Sequence, residues 1–181
     1  MAFSRDLRYW ARPVRDPVLP LGKAGSWDDG TLYTSSNMQV SDKEMSVYYG
    51  AMNLPHGGSA GNMKQYARIA KASWRRDGLV SLYNGGSDTG SVTTKTITFT
   101  GKQLKVNAKL EKDGSLRVEV LDKEGKAING YTISQSKAIG KDEFAATVQW
   151  DKGSDIAELQ GKEIKLRFHL LGGNLYSYWF E

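Results

Sequence analysis

Alternation of apolar and polar residues at a period of two is the feature of this sequence that most restricts its fold. In 103–110, QLKVNAKL, every second residue is apolar. The same alternation recurs in 163–171, EIKLRFHLL. Successive side chains of a β-strand point to opposite faces, so this period predicts strands that each bury one face.

Turn signals separate the strands at short intervals. Lys112-Asp113-Gly114 follows the first alternating segment and precedes SLRVEVLD at 115–122, which predicts a β-hairpin. Further strands are predicted over 144–150 and over 174–181, NLYSYWFE. Frequent short strands with turns between them predict an all-β protein dominated by an antiparallel β-sandwich of jelly-roll or concanavalin-like type.

Little of the chain has a helical pattern. The segment 154–160 admits one short turn of helix, which Ser154 or Asp155 would cap.

The first third of the chain differs from the rest. All four prolines lie there, and its loops are rich in glycine, as in 54–62, LPHGGSAGN. We therefore predict a β segment joined by long loops over 1–55, a linker over 56–66, and the sandwich over 67–181.

Composition excludes several classes of function. The chain has no cysteine, which rules out disulfides, thiolate metal sites and a cysteine nucleophile. Its 25 basic and 20 acidic residues are interspersed, so the net charge of +5 indicates a solvated surface and no nucleic-acid partner. No apolar run is long enough to span a membrane, and residues 1–16 lack the apolar core of a secretion signal.

Aromatic, amide and carboxylate side chains concentrate in 25–56. Indole and phenol rings can cover the apolar face of a sugar ring, and carboxylates and amides bind its hydroxyls. The candidate ligand-binding residues are Trp27, Asp28, Tyr33, Asn37, Tyr49, Asn53 and His56.

Each candidate also has a structural interpretation. Trp27 can pack between strands while an aspartate closes the turn before Gly30, and the asparagines can serve in turns. Tyr48 and Tyr49 must point to opposite faces of their strand, so only one of them can meet a ligand.

A metal or other cofactor is not predicted. His56 could carry a proton or bind a metal, but the only other histidine is His169, far away in the sequence. The loops rich in Asp and Asn would admit calcium, although none has the spacing of an EF-hand.

Several short motifs resemble a known family. SRDLRYWARP (4–13), GSWDDG (25–30) and VYYGAMN (47–53) resemble the last blade of five-bladed β-propeller glycoside hydrolases of families 32 and 43. The segments 90–108 and 164–180 resemble the β-sandwich that follows the propeller in such proteins. The resemblance implies that this chain corresponds to the C-terminal part of such a protein.

The resemblance implies a carbohydrate-binding or accessory module. Its partner would be a polysaccharide or oligosaccharide, and its location extracellular or periplasmic. The motif that opens the propeller in family 32 is absent, and one blade supplies only part of the carboxylate set that hydrolysis needs.

Two alternatives remain open. The chain could be a glycoside hydrolase or a fragment of one, with Asp28 or Asp29 as one member of a carboxylate pair. The other member would then be Asp6, Asp16 or Glu44. The second alternative is a structural domain that associates with itself or another protein through an exposed apolar face.

Overall fold

Two compact units make up the protein. The computed structural model describes residues 1–12, 14–59, 61, 64 and 66–181, and the chain divides into Met1–Leu79 and Val80–Glu181. Each unit has its own antiparallel sheet. The predicted all-β class is confirmed.

The sheet of the first unit is built around one central strand. Its strands are β1 (Thr31–Thr34), β2 (Gln39–Val40), β3 (Glu44–Met52) and β4 (Ala67–Arg75). β1 and β2 pair with successive parts of one edge of β3, and β4 pairs with the whole of the other edge. The polar turn at 35–38 therefore separates two short strands that share one partner.

The boundary between the units differs from the predicted one. Because β4 pairs with β3 along its full length, the segment 67–79 belongs to the first unit. The glycine-rich segment predicted as a linker over 56–66 is the connection between these two paired strands. Ala60, Asn62, Met63 and Gln65 of that segment lie outside the described residues.

The second unit contains five strands. They are β5 (Leu82–Asn84), β6 (Gly90–Thr93), β7 (Leu104–Asp122), β8 (Glu143–Thr147) and β9 (Ile164–Phe180). Their order is β5-β9-β7-β8, and β6 also pairs with β9, farther along the edge that β5 occupies. β9 is thus the central strand.

The hairpin predicted at 112–114 is wrong. β7 continues through this segment, and each of its halves pairs with a half of β9 rather than with the other half of β7. The strand bends where Asp113 has a φ of +65° and Gly172, opposite it, has a φ of +56°. A residue of left-handed conformation reverses the chain in a hairpin, but here the partner strand bends with it and no reversal occurs.

Glycine is required at this bend. A Cβ at Gly114 would lie 2.1 Å from the carbonyl oxygen of Gly172. A Cβ at Gly173 would lie 2.6 Å from the carbonyl oxygen of Lys109. The backbones of β7 and β9 can meet this closely only because no side chain stands between them.

Bending the β7–β9 pair folds its two halves over one apolar core, which gives the unit its sandwich architecture. Leu104 and Val106 from the first half of β7 lie in the same cluster as Val118 and Val120 from the second half. Trp150 is buried beside them, where its indole N–H donates to the carbonyl of Val118 over 2.9 Å.

Among the described residues, the one helical turn lies where the sequence predicts it, as a 3₁₀ turn over Ala157–Leu159. Its N-cap position is Ile156, which makes no side-chain capping bond, so the predicted cap by Ser154 or Asp155 is wrong. Asp155, one residue before the N-cap, accepts the backbone N–H of Ala157 at 2.8 Å.

Candidate functional site

The two tyrosines in the middle of β3 point to opposite faces of the first sheet. Met45, Val47 and Ala51 are buried on one face, and Tyr49, which shares their parity, is half-buried. Tyr48 points to the opposite face and is 48% exposed. The sequence-based expectation that the two rings separate is confirmed.

Trp27 packs against Tyr49 on the inner face. Their ring centroids are 6.1 Å apart at an interplanar angle of 21°, and the guanidinium carbon of Arg68 lies 6.0 Å from the Trp27 ring. Trp27 is itself half-buried. Offset stacking of this kind places both rings in the packing of the sheet.

The neighbouring aspartates close the loop that carries Trp27. Asp28 accepts the Ser26 hydroxyl at 2.7 Å, and Asp29 accepts the backbone N–H of Gly25 at 2.6 Å. These bonds are local, and they use a carboxylate oxygen of each residue to hold the turn.

Of the two predicted asparagines, Asn53 uses its side chain to hold a backbone segment in place. Its amide donates to the carbonyl of Lys64 at 2.9 Å and accepts the N–H of Tyr66 at 2.8 Å. Asn37 lies in the exposed turn between β1 and β2, where its backbone carbonyl accepts the Ser35 hydroxyl at 3.0 Å.

Tyr33 and His56 meet on the outer face of the sheet. The Tyr33 hydroxyl and Nδ1 of His56 are 2.5 Å apart, and the rings meet edge to face at a centroid distance of 6.1 Å. Tyr33 is 51% exposed. The structure thus brings together two residues that are 23 positions apart in the sequence.

A glycine opens space beside this pair. Gly50 is the register partner of Tyr33 on one side and of Ile69 on the other. Among the described residues beyond its chain neighbours, a Cβ built on Gly50 would have one neighbour within 4 Å, the carbonyl oxygen of Arg68 at 4.0 Å. Within this part of the chain, the sheet therefore has a floor without a side chain between an exposed tyrosine and an isoleucine that is 81% exposed.

Tyr48 borders the same floor. It lies two residues before Gly50 on β3 and so is the diagonal neighbour of Tyr33, roughly 7 Å away at the Cβ atoms. We call the surface formed by Tyr33, Tyr48, Gly50, His56 and Ile69 the tyrosine face.

An ion pair lies along one side of the tyrosine face. Lys71 is the register partner of Tyr48, and its ammonium group lies 2.6 Å from Glu44. The hydrogen bond from Lys71 lowers the pKa of Glu44, and the same bond raises the pKa of Lys71. Both side chains are substantially exposed, so they add polar groups beside the aromatic ones.

The carboxylates considered for a hydrolytic pair have other partners close by. Asp6 accepts the backbone N–H groups of Arg8 and Tyr9, each at 2.9 Å, and these bonds lower its pKa. Glu44 is paired with Lys71. A pairing with Asp28 or Asp29 stays a prediction.

The sequence-based candidates omitted Tyr48, Gly50 and Ile69 of this surface, and of these Tyr48 could have been identified. The signal that identifies it is parity, because Tyr48 has the opposite parity to the apolar residues Met45, Val47 and Ala51 in the same strand. Tyr49 shares their parity and faces inward.

The described part of the chain contains no group of three or more His, Asp or Glu side chains placed to hold a metal ion. Within the same residues, no helix is long and apolar enough to cross a membrane. No protein-family model, curated protein or solved structure matches this chain.

Proposed function

We propose that the first unit binds a carbohydrate on the tyrosine face. The observation that carries the proposal is the open floor at Gly50, which lies between Tyr33 and Ile69 and beside Tyr48. Both tyrosines expose about half of their surface, and the buried apolar residues of β3, Met45, Val47 and Ala51, lie on the other face. Exposed aromatic side chains grouped on one face are typical of a binding surface.

The chemistry of this face suits a sugar ring. A phenol ring can lie against the C–H groups of a pyranose, while its hydroxyl and an imidazole nitrogen bond to the sugar's hydroxyl groups. Glu44 and Lys71 offer an acceptor and a donor beside Tyr48. The resemblance to glycoside hydrolases points to the same class of ligand.

The hydrogen bond between Tyr33 and His56 fixes the positions of both side chains. Each ring restrains the other, so the two polar groups are positioned before a ligand arrives.

The experiment measures binding of the whole chain to a panel of neutral soluble polysaccharides, with released reducing ends assayed in the same samples. Gly50→Val fills the floor, and the sheet can accept it because no described residue beyond its chain neighbours lies closer than 4.0 Å to the new Cβ. We expect Gly50→Val and Tyr48→Ala each to weaken binding about tenfold. Tyr9→Ala is the matched control, because Tyr9 is 82% exposed elsewhere in the same unit.

Each outcome has a definite meaning. Weakened binding in both variants, with unchanged thermal unfolding and an unchanged Tyr9→Ala control, supports the proposal. Binding that survives both substitutions overturns it. Release of reducing ends would favour the hydrolase alternative and direct substitution to Asp28 and Asp29.

A further inference from the structure

A second cluster of polar side chains lies on the second unit, on three neighbouring strands. Ser91 on β6 and Arg117 on β7 are both register partners of His169 on β9. Two residues earlier on β9, Arg167 has Thr93 and Glu119 as its register partners. We call the surface formed by these six residues the basic face.

The basic face is the outer face of its part of the sheet. Between the two rows lie Val118 and Phe168, and both are buried in the core. Strand alternation therefore turns the residues on either side of them outward.

One carboxylate at the centre contacts both an arginine and a histidine. Glu119 is only 5% exposed. Its Oε1 accepts a bond from Nη1 of Arg167 at 3.1 Å and lies 3.0 Å from Nε2 of His169. Arg167 is fixed further by a bond from its Nε to the hydroxyl of Thr93 at 2.9 Å.

The second guanidinium is anchored to a neutral group. Nη1 of Arg117 donates to the backbone carbonyl of Ser136. Two guanidinium groups against one carboxylate leave one positive charge. The face therefore holds more positive charge than its own acidic residue balances.

Hydrogen bonds hold the guanidinium groups of Arg117 and Arg167 in place. Arg117 is held by one hydrogen bond and Arg167 by two, from its Nε and Nη1, which leaves the other N–H groups of each guanidinium fork for an incoming oxyanion. A carboxylate or sulfate ester accepts this fork in a bidentate geometry. The exposed Ser91 hydroxyl adds a donor in the same row as Arg117 and His169.

We propose that the basic face binds the anionic group of an acidic polysaccharide, a uronate carboxylate or a sugar sulfate. This site lies on a different unit from the tyrosine face and does not depend on the function proposed there. A polysaccharide fits better than a nucleic acid, because no aromatic side chain among the six residues could stack on a base.

Substitutions of Arg117 and Glu119 should change the binding affinity in opposite directions, which makes the proposal testable. Arg117→Gln removes a ligand-facing cation and should weaken binding of polygalacturonate or dextran sulfate about tenfold at low ionic strength. Glu119→Gln removes the competing carboxylate and should strengthen binding severalfold. A purely structural role for Glu119 would give a less stable protein with no gain in binding.

Controls separate this site from general attraction to a basic protein. Lys123→Gln removes one positive charge on the same unit, from a residue that is 59% exposed and lies near Glu163. Arg117→Lys keeps the charge but loses the planar guanidinium, and it replaces Arg117→Gln in the test if that variant does not fold. Neutral dextran and a random-sequence DNA oligonucleotide complete the panel.

Binding by polygalacturonate alone, by dextran sulfate alone or by both supports the proposal and identifies the anionic group. Failure of both polymers to bind overturns it, as does an equal effect of Arg117→Gln and Lys123→Gln. Equal affinity for the DNA would overturn the assignment to a polysaccharide. Tyr48→Ala should leave acidic-polymer binding unchanged, so a failure of one site can be told from a failure of the other.

Discussion

At the scale of single residues, Tyr33, Tyr48 and Tyr49 show what the sequence can and cannot predict. Strand parity predicts that Tyr48 and Tyr49 separate, and the buried neighbours of Tyr49 indicate which one faces inward. The contact of Tyr33 with His56 could not be predicted in this way. It depends on how the loop after β3 returns to the sheet, and no local pattern specifies that path.

Glu44 provides a prediction of pH dependence. The bond from Lys71 lowers the pKa of Glu44 below its ordinary value, so folding favours the ionised form. The stabilisation is then present above the ordinary pKa of a glutamate and is lost as the pH falls through the lowered value in the folded state. Glu44→Gln should therefore lower the thermal unfolding midpoint at neutral pH but not at pH values where wild-type Glu44 is already protonated.

Thermal unfolding of both proteins across an acidic pH series checks this. Thr34→Ala, on the exposed end of β1, serves as a control for a substitution without charge. A midpoint difference that persists undiminished in acid would contradict the expected role of the ion pair.

At the scale of elements, the strands could be predicted but their connection could not. The alternating segments 103–110 and 163–171 are both strands, as expected. A period of two and a turn signal at 112–114 fit a reversal as well as a bend, because both need a residue of left-handed conformation. Whether the chain reverses or only bends is decided by the partner strand β9, which bends at Gly172 and Gly173, opposite the bend in β7.

Gly114→Ala tests the bend. Its Cβ would collide with the backbone of β9, and backbone cannot move aside as a flexible side chain can, so we expect a loss of about 3 kcal/mol in the free energy of unfolding. Gly140→Ala is the matched control, because its Cβ would have ordinary contact with its nearest atom at 3.8 Å. Denaturant unfolding of both variants gives the comparison, and equal stabilities would show that the close approach at Gly114 is not required.

At the scale of the whole molecule, each unit has a sheet of its own. The composition change in the first third of the chain indicated two parts, but their limits could not be predicted. A glycine-rich loop between two paired strands and a linker between two domains have the same composition. Only the pairing of β3 with β4 distinguishes them.

This organisation predicts that residues 80–181 fold without the first unit. They contain all the strands of the second sheet and the whole cluster around Trp150. We expect the fragment to show a cooperative thermal transition and the fluorescence of a buried tryptophan. Trp150→Ala should remove about 4 kcal/mol from its stability, since it leaves a large cavity and breaks the bond to Val118. A fragment without a cooperative transition would show that its core is insufficient.

The central position of β9 has a consequence for how the second unit reaches its fold. β5 and β6 pair only with β9, and the side chains of Ser81 and Asn174, hydrogen-bonded to each other, are 93 positions apart. Closing so long a loop is slow compared with forming a hairpin. Before β9 has docked, β5 and β6 have no neighbour in the sheet, so their backbone N–H and C=O groups are unpaired. The interval before docking is therefore the period in which this unit is most exposed to aggregation, and its folding rate depends on the last strand rather than on the first.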